Sequence, residues 1–151
     1  MIDLETPLKG KGLKIVFTEG KDLRMMKAAE RLRDKKLLVP VLYGNRTELE
    51  KLADSHHICL DGMMILDPDE FQDHEAMENR MLELRKGKAD RATVKTWMKK
   101  DAYFCTMYVE MGYADGLLGG STNSTADTLR PIMRLVKNQS GQFYCFQLFS
   151  Y

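Results

Sequence analysis

The sequence predicts an α/β fold, a three-layer α/β/α arrangement around a mostly parallel sheet. Three observations carry this. Short apolar runs alternate with segments of helical periodicity, and parallel neighbours require crossovers that intervening helices supply. Two glycines, Gly119 and Gly120, follow the last clear apolar step and lead into another helical pattern, the sequence grammar of strand, tight turn and helix start. The chain has 151 residues and 44% hydrophobic content, enough for one domain to bury a core without disulfides or metal.

The elements follow in order. Residues 14–17, Lys-Ile-Val-Phe, read as a short buried strand closed by Thr18-Glu19-Gly20. From 21 to 34 the apolar Leu23, Met26, Ala29 and Leu32 return every three residues, as one face of a helix requires. Arg24 falls in its first turns, just past the strand's carboxyl end. Residues 37–43 are a second apolar run, in which Pro40 predicts an edge position or an irregular strand. Thr47 is the expected cap of a short helix, with Glu50 completing a capping box. Residues 62–66 read as a third strand, stopped by Asp67-Pro68-Asp69. A long helix is expected over 70–86, with Phe71, Met77, Met81 and Leu84 facing inward and Gly87 ending it. Helices over 93–98 and 103–111 precede the strand and turn at 114–120.

Composition narrows the classes of function. Lys+Arg 23 against Asp+Glu 22 leaves a formal charge of +1, which removes the electrostatic case for nucleic acid or a charged membrane as an obligatory partner. Cys59, Cys105 and Cys145 are an odd set without a Cys-x-x-Cys pair, as expected of reduced thiols in a cytoplasmic protein. His56, His57 and His74 match no common metal module, so they read as surface histidines and no metal is expected. The first residues carry no secretory pattern, and no run of eighteen apolar residues occurs. Residues 142–151 stand apart: Phe143, Tyr144, Phe146, Phe149 and Tyr151 come with no charge at all, an apolar edge strand with no helix to cover it.

Residues 114–131 are where chemistry is expected. The first amides of a helix lack intrahelical partners and its dipole leaves positive potential there, so a phosphate gains hydrogen bonds and field together. Ser121, Thr122, Ser124 and Thr125 add hydroxyl donors, and Arg130 adds charge. The same spacing also suits plain capping by Ser124, Thr125 or Asp127. No Gly-Lys-Ser/Thr follows the turn and no Gly-x-Gly-x-x-Gly occurs in it, so neither a nucleoside triphosphate nor NAD is indicated. Arg85-Lys86-Gly87-Lys88 offers a second basic group, though cations in a last helical turn routinely complement the helix dipole.

Several stretches in sequence carry a family resemblance: Ile15 to Gly20 with Arg24, Lys27-Ala28-Ala29-Glu30-Arg31-Leu32, Leu84 to Lys88, Tyr103-Phe104-Cys105-Thr106-Met107, Ala114-Asp115-Gly116, and Ser124-Thr125-Ala126-Asp127-Thr128-Leu129-Arg130-Pro131. Over most of residues 12–140 the chain resembles the N-terminal portion of the phosphate acetyltransferase family. The resemblance implies reversible acetyl transfer between coenzyme A and inorganic phosphate, with coenzyme A as substrate, no cofactor, and a homodimer. It implies one lobe of an isocitrate/isopropylmalate dehydrogenase-like fold over 1–141, the second lobe lying outside this chain. By similarity, Arg130 and Arg85 would clamp the phosphoryl oxygens, Ser121, Thr122, Ser124 and Thr125 would complete the anion pocket, and Arg24 would aid coenzyme A binding. The family's Ser-Arg and Asp residues, thought to position and activate the thiol, belong to the part beyond. Cys105 stands where the family usually has glycine, and Asn123 where histidine or tyrosine is common. A phosphate butyryltransferase-like enzyme and a non-catalytic anion-binding or assembly module are the alternatives.

Overall fold

The structure, a computed structural model, describes residues 5–120, 124–135 and 144–147, with backbone only for Thr125 and 144–147. Strands and helices alternate through the first half: β1 (Lys14–Phe17), α1 (Leu23–Asp34), β2 (Val39–Tyr43), α2 (Arg46–Ser55) and β3 (Met64–Leu66). Three helices come next, α3 (His74–Arg85), α4 (Arg91–Met98) and α5 (Asp101–Glu110). The chain then returns to the sheet through β4 (Gly116–Gly119), α6 (Thr125–Leu135) and β5 (Tyr144–Gln147).

All strand pairs are parallel, in the order β3-β2-β1-β4-β5. The chain thus winds outward from β1 in one direction and from β4 in the other. Side chains of a strand alternate between faces, and the core divides accordingly. Phe17, Leu42 and Leu118 point to the layer of α1 and α2, where they meet Met25, Met26, Ala29, Leu49 and Ala53. Val16, Val41 and Leu117 point to the opposite layer with Met77, Met81, Val94, Phe104, Met107 and Leu135. Helices therefore cover both faces, as the sequence predicts.

Pro40 does not make β2 an edge strand, since β2 lies between β1 and β3. The reason is its register. Val39 donates to Leu13 O on the β1 side at 2.7 Å, so the next residue faces the other neighbour, and there the ladder starts only with Val41 opposite Met64. The missing N–H of Pro40 falls one residue before any bond would be needed. The cap of α2 is also different: Asn45, not Thr47, accepts from Glu48 N at 3.0 Å. Helix α3 starts later than expected because Asp67 forms a turn of its own, its carbonyl accepting from Glu70 N and Phe71 N. Phe71 reaches the core from that loop, against Phe104, Tyr108 and Tyr113. His74 is half-buried, with its ring 5.7 Å from that of Phe104, so the expectation of a surface histidine fails there. Residues 144–147 pair with β4, Gly116 opposite Tyr144 through Gly119 opposite Gln147, and form the sheet's outer strand on that side.

Candidate functional site

In a parallel sheet, ligands gather at the carboxyl ends of the strands, where the winding direction changes. That point lies here between β1 and β4. A cleft of about 870 Å³ opens at this edge, lined by residues 18–22, 43–45, 67–69 and 99–103 together with Asp127 and Arg130. Each segment either leaves a strand or begins a helix that returns antiparallel to one.

The cleft walls are fixed by backbone contacts. Thr18 N donates to Leu118 O at 3.0 Å and its hydroxyl to the same oxygen at 3.4 Å, joining the ends of β1 and β4. Glu19, 7% exposed, accepts from Gly120 N at 3.2 Å. At Gly20 a Cβ would lie 2.6 Å from Tyr43 O, so only glycine lets β1's exit pass this close to β2. Asp67, also buried, accepts from Arg46 N and Asp69 N, both at 2.9 Å. Both buried carboxylates therefore serve backbone amides, which offsets the cost of burying their charge.

The structure separates the residues singled out in the sequence. Arg130 lines the cleft, half exposed, with Nη1 3.3 Å from the Asp127 carboxylate one turn earlier. Ser124 caps α6: its Oγ accepts from Asp127 N at 3.1 Å and its carbonyl from Thr128 N at 3.1 Å. Of the two uses read for this residue, capping is the one its geometry shows. Ser121, Thr122 and Asn123 lie outside the described residues, as does the side chain of Thr125. Arg24 is not among the residues lining the cleft; its guanidinium lies 2.9 Å from Asp22, which does line it and also caps α1. That hydrogen bond, followed by the Coulombic pull of Asp22, raises the Arg24 pKa further.

Arg85 is elsewhere. Its Nη1 donates to Arg134 O at 3.1 Å, its guanidinium lies 5.7 Å from the Trp97 ring centre, and its Nε is buried with no hydrogen-bond partner among the described residues. Arg134 approaches the same indole at 5.3 Å and donates to the Tyr103 hydroxyl at 2.7 Å. Trp97 in turn stacks on Tyr103, centroids 4.8 Å apart and planes 12° from parallel. Only the last ring, Tyr103, reaches the cleft. The structure thus does not bring Arg85 and Arg130 to one cleft.

Sequence reasoning missed Lys99, Lys100 and Tyr103. Lys99 and Lys100 are exposed at the cleft, where they make no ion pair among the described residues, and Lys100 Nζ lies 5.9 Å from the Tyr103 ring centre. Their signal was positional: a helix running back into β4 must begin at the carboxyl edge, and Lys-Lys-Asp stands at that beginning. Tyr43, at the end of β2, also escaped notice. Burial raises its phenol pKa well beyond the ordinary range, helped by the nearby Cys105 and Asp101, so it meets the cleft as a neutral hydroxyl. Cys105 is fully buried and its thiol is pushed strongly upward by that burial, which disqualifies it as a nucleophile. Among the described residues no group of three His, Cys, Asp or Glu is arranged to hold a metal ion, and no helix is long and apolar enough to cross a membrane.

A doubly wound parallel α/β domain with a polar cleft at its switch point, walled by helix starts and bearing an arginine on the last of them, is the class that fold and site define. The chain belongs to the phosphate acetyl/butaryl transferase family, whose model matches residues 4–150. That match runs through residues 142–150, which composition alone sets apart. A phosphate acetyltransferase of Bacillus subtilis (strain 168) is 37% identical over 138 residues, 91% of this chain and 43% of the relative. One of Staphylococcus epidermidis is 35% identical over the same length, 91% of this chain and 42% of its own. Among solved structures, a phosphotransacetylase from Streptococcus pyogenes superposes with a TM-score of 0.84 at 36% identity, covering 91% of this chain and 42% of that one. A phosphotransacetylase from Staphylococcus aureus gives 0.80 at 32% identity, with 89% and 41% covered. The chain therefore spans less than half the length of these relatives.

Proposed function

We propose that this chain supplies the phosphate-side lobe of a phosphate acetyltransferase. The reaction is reversible: a coenzyme A thiolate attacks the acetyl carbonyl of acetyl phosphate, the new carbon–sulfur bond forms, and the carbon–oxygen bond to phosphate breaks to release inorganic phosphate. The observation that carries this reading is the placement of Arg130. It stands on the helix that follows the Gly119-Gly120 turn, at the rim of the switch-point cleft, restrained by one exposed ion pair. An exposed pair of that kind contributes about 0.5 kcal/mol, so the guanidinium can turn from Asp127 to a phosphoryl group at little cost. Its planar fork suits two phosphate oxygens.

The other roles follow. Lys99 and Lys100 supply further positive charge in the cleft that Arg130 also lines, suited to the phosphates of coenzyme A, and Arg24 adds to it from beside Asp22. Arg85, which the resemblance places in the clamp, is here engaged with the Arg134 carbonyl and Trp97. We assign the phosphate contact to Arg130 and give Arg85 the task of holding α6 against α3. The acetyl rather than the butyryl reaction is favoured because the similar curated proteins bear the acetyl name. The setting we propose is cytoplasmic, with residues beyond this lobe completing the cleft.

Thioester formation from acetyl phosphate and free coenzyme A, followed by absorbance, tests the reading, alongside thermal melts with phosphate and with coenzyme A. Turnover above a protein-free control, or stabilisation by both ligands that Arg130→Ala removes for phosphate, is the expected outcome. Absence of turnover together with no stabilisation by either ligand overturns it.

A further inference from the structure

Tyr43 ends β2 with its backbone held on both sides. It stands opposite Leu66 of β3, Gly44 N donates to Leu66 O at 3.1 Å, and towards β1 a Cβ on Gly20 would lie 2.6 Å from the Tyr43 carbonyl oxygen. Its side chain leaves the sheet on the face that α5 and α6 cover, and its ring centre lies 5.5 Å from that of Phe104 on α5. Strand and ring packing thus fix where the phenol points. Asp67 and Asp69 from the exit of β3 and Asp101 from the start of α5 all line the cleft and all act on the phenol electrostatically, which sets the hydroxyl among them.

Among the described residues no hydrogen bond holds this hydroxyl, and its oxygen is not sealed from solvent. A tyrosine hydroxyl set this far into a protein ordinarily finds a partner. Burial, followed by the nearby Cys105 and Asp101, raises the phenol's pKa, so the group keeps its proton and can donate.

The surroundings select the kind of acceptor. Three neighbouring carboxylates oppose a phosphate at this point, whereas an uncharged carbonyl meets no such repulsion. A secondary amide suits the place best, because its carbonyl accepts from tyrosine while its N–H can donate to a carboxylate. Coenzyme A carries such amides along the arm that ends in its thiol. Lys99 and Lys100, which immediately precede Asp101, suit the charged end of the same molecule.

From this we infer that the Tyr43 hydroxyl binds an amide carbonyl in the pantetheine arm of coenzyme A. The inference rests on the coenzyme A reading of the cleft. It divides the site by chemistry, with Arg130 meeting inorganic phosphate and Tyr43 the uncharged arm.

Calorimetric titration of the unaltered 151-residue chain and Tyr43→Phe with reduced pantetheine, which carries the amides without phosphate, tests this beside a titration with inorganic phosphate. The Kd for pantetheine is expected to rise about fivefold in Tyr43→Phe, the loss of one neutral hydrogen bond, while the Kd for phosphate stays unaltered. Thermal melts without ligand are expected to coincide, since the hydroxyl serves no contact within the described chain. Equal pantetheine affinity in the two chains overturns the inference, as does an equal loss of affinity for both ligands. A Tyr43→Phe chain that melts several degrees lower also overturns it, by giving the hydroxyl an internal task. Phosphate binding without pantetheine binding in the unaltered chain removes the inference and leaves the phosphate reading of Arg130 standing. Pantetheine binding that Tyr43→Phe weakens, in a chain that ignores phosphate, upholds the inference and removes that reading instead.

Discussion

Two arginines of this chain face opposite demands. Arg130 stands half in water at the cleft, tied to a carboxylate on its own helix. Arg85 lies partly beneath the surface, where its guanidinium and that of Arg134 flank one indole and the backbone of α6 takes its hydrogen bond. The same side chain thus stands exposed at a cleft in one place and packs against an indole in the other. What differs is the alternative open to each group. Arg130 can leave Asp127 by breaking one exposed ion pair, while Arg85 would have to give up both Trp97 and the Arg134 carbonyl.

The largest effect on that contrast is expected from the indole. Trp97→Ala removes the ring stacked on Tyr103 and leaves two guanidiniums without it, for a loss of about 3 kcal/mol. Urea denaturation should show a lower midpoint at an unchanged slope, with the phosphate-induced shift retained. Arg85→Ala comes next, at roughly 2 kcal/mol for one cation–π contact and one hydrogen bond. A full stability loss without loss of phosphate response keeps the two arginines distinct. Normal stability with no phosphate response would move Arg85 into the clamp.

The smallest effect concerns pH and lies away from both arginines. Asp90 caps α4, accepting from Thr93 N at 2.8 Å. Hydrogen bonds from Thr93, the side chain's first and the backbone's second, hold its pKa below the usual carboxylate value. A lowered folded value means that the cap's contribution is present above the unfolded pKa and disappears as pH falls through the folded one. Stability of the unaltered chain should therefore drop more steeply on acidification than that of Asp90→Asn, whose amide still caps. Equal acid limbs in the two melts would deny Asp90 that role.

Much of this architecture is legible in the order of residues. The apolar run Lys14–Phe17, the three-residue spacing of Leu23, Met26, Ala29 and Leu32, and the apolar step ending at Leu118 define a strand, a helix and a further strand where the structure has them. Arg130 was within reach because a helix was read after the two glycines, and α6 spans Thr125–Leu135. What the sequence hides is long range. Pro40 looks disruptive until the ladder beside it is seen to start one residue later. Lys99 and Lys100 gain meaning only when α5 is known to begin at the cleft. The grouping of Arg85, Trp97, Tyr103 and Arg134 joins four helices, which no spacing rule connects.

The central claim, that Arg130 is the arginine that meets phosphate, is open to one direct measurement: thermal unfolding of the unaltered chain, Arg130→Ala and Arg85→Ala across a phosphate titration. A ligand that binds only the folded state stabilises it by about 3 kcal/mol at a hundredfold excess over Kd. Arg130→Ala should start from nearly the unaltered midpoint and gain little of this, whereas Arg85→Ala should start lower and gain all of it. A full phosphate shift in Arg130→Ala, with none in Arg85→Ala, would contradict the account.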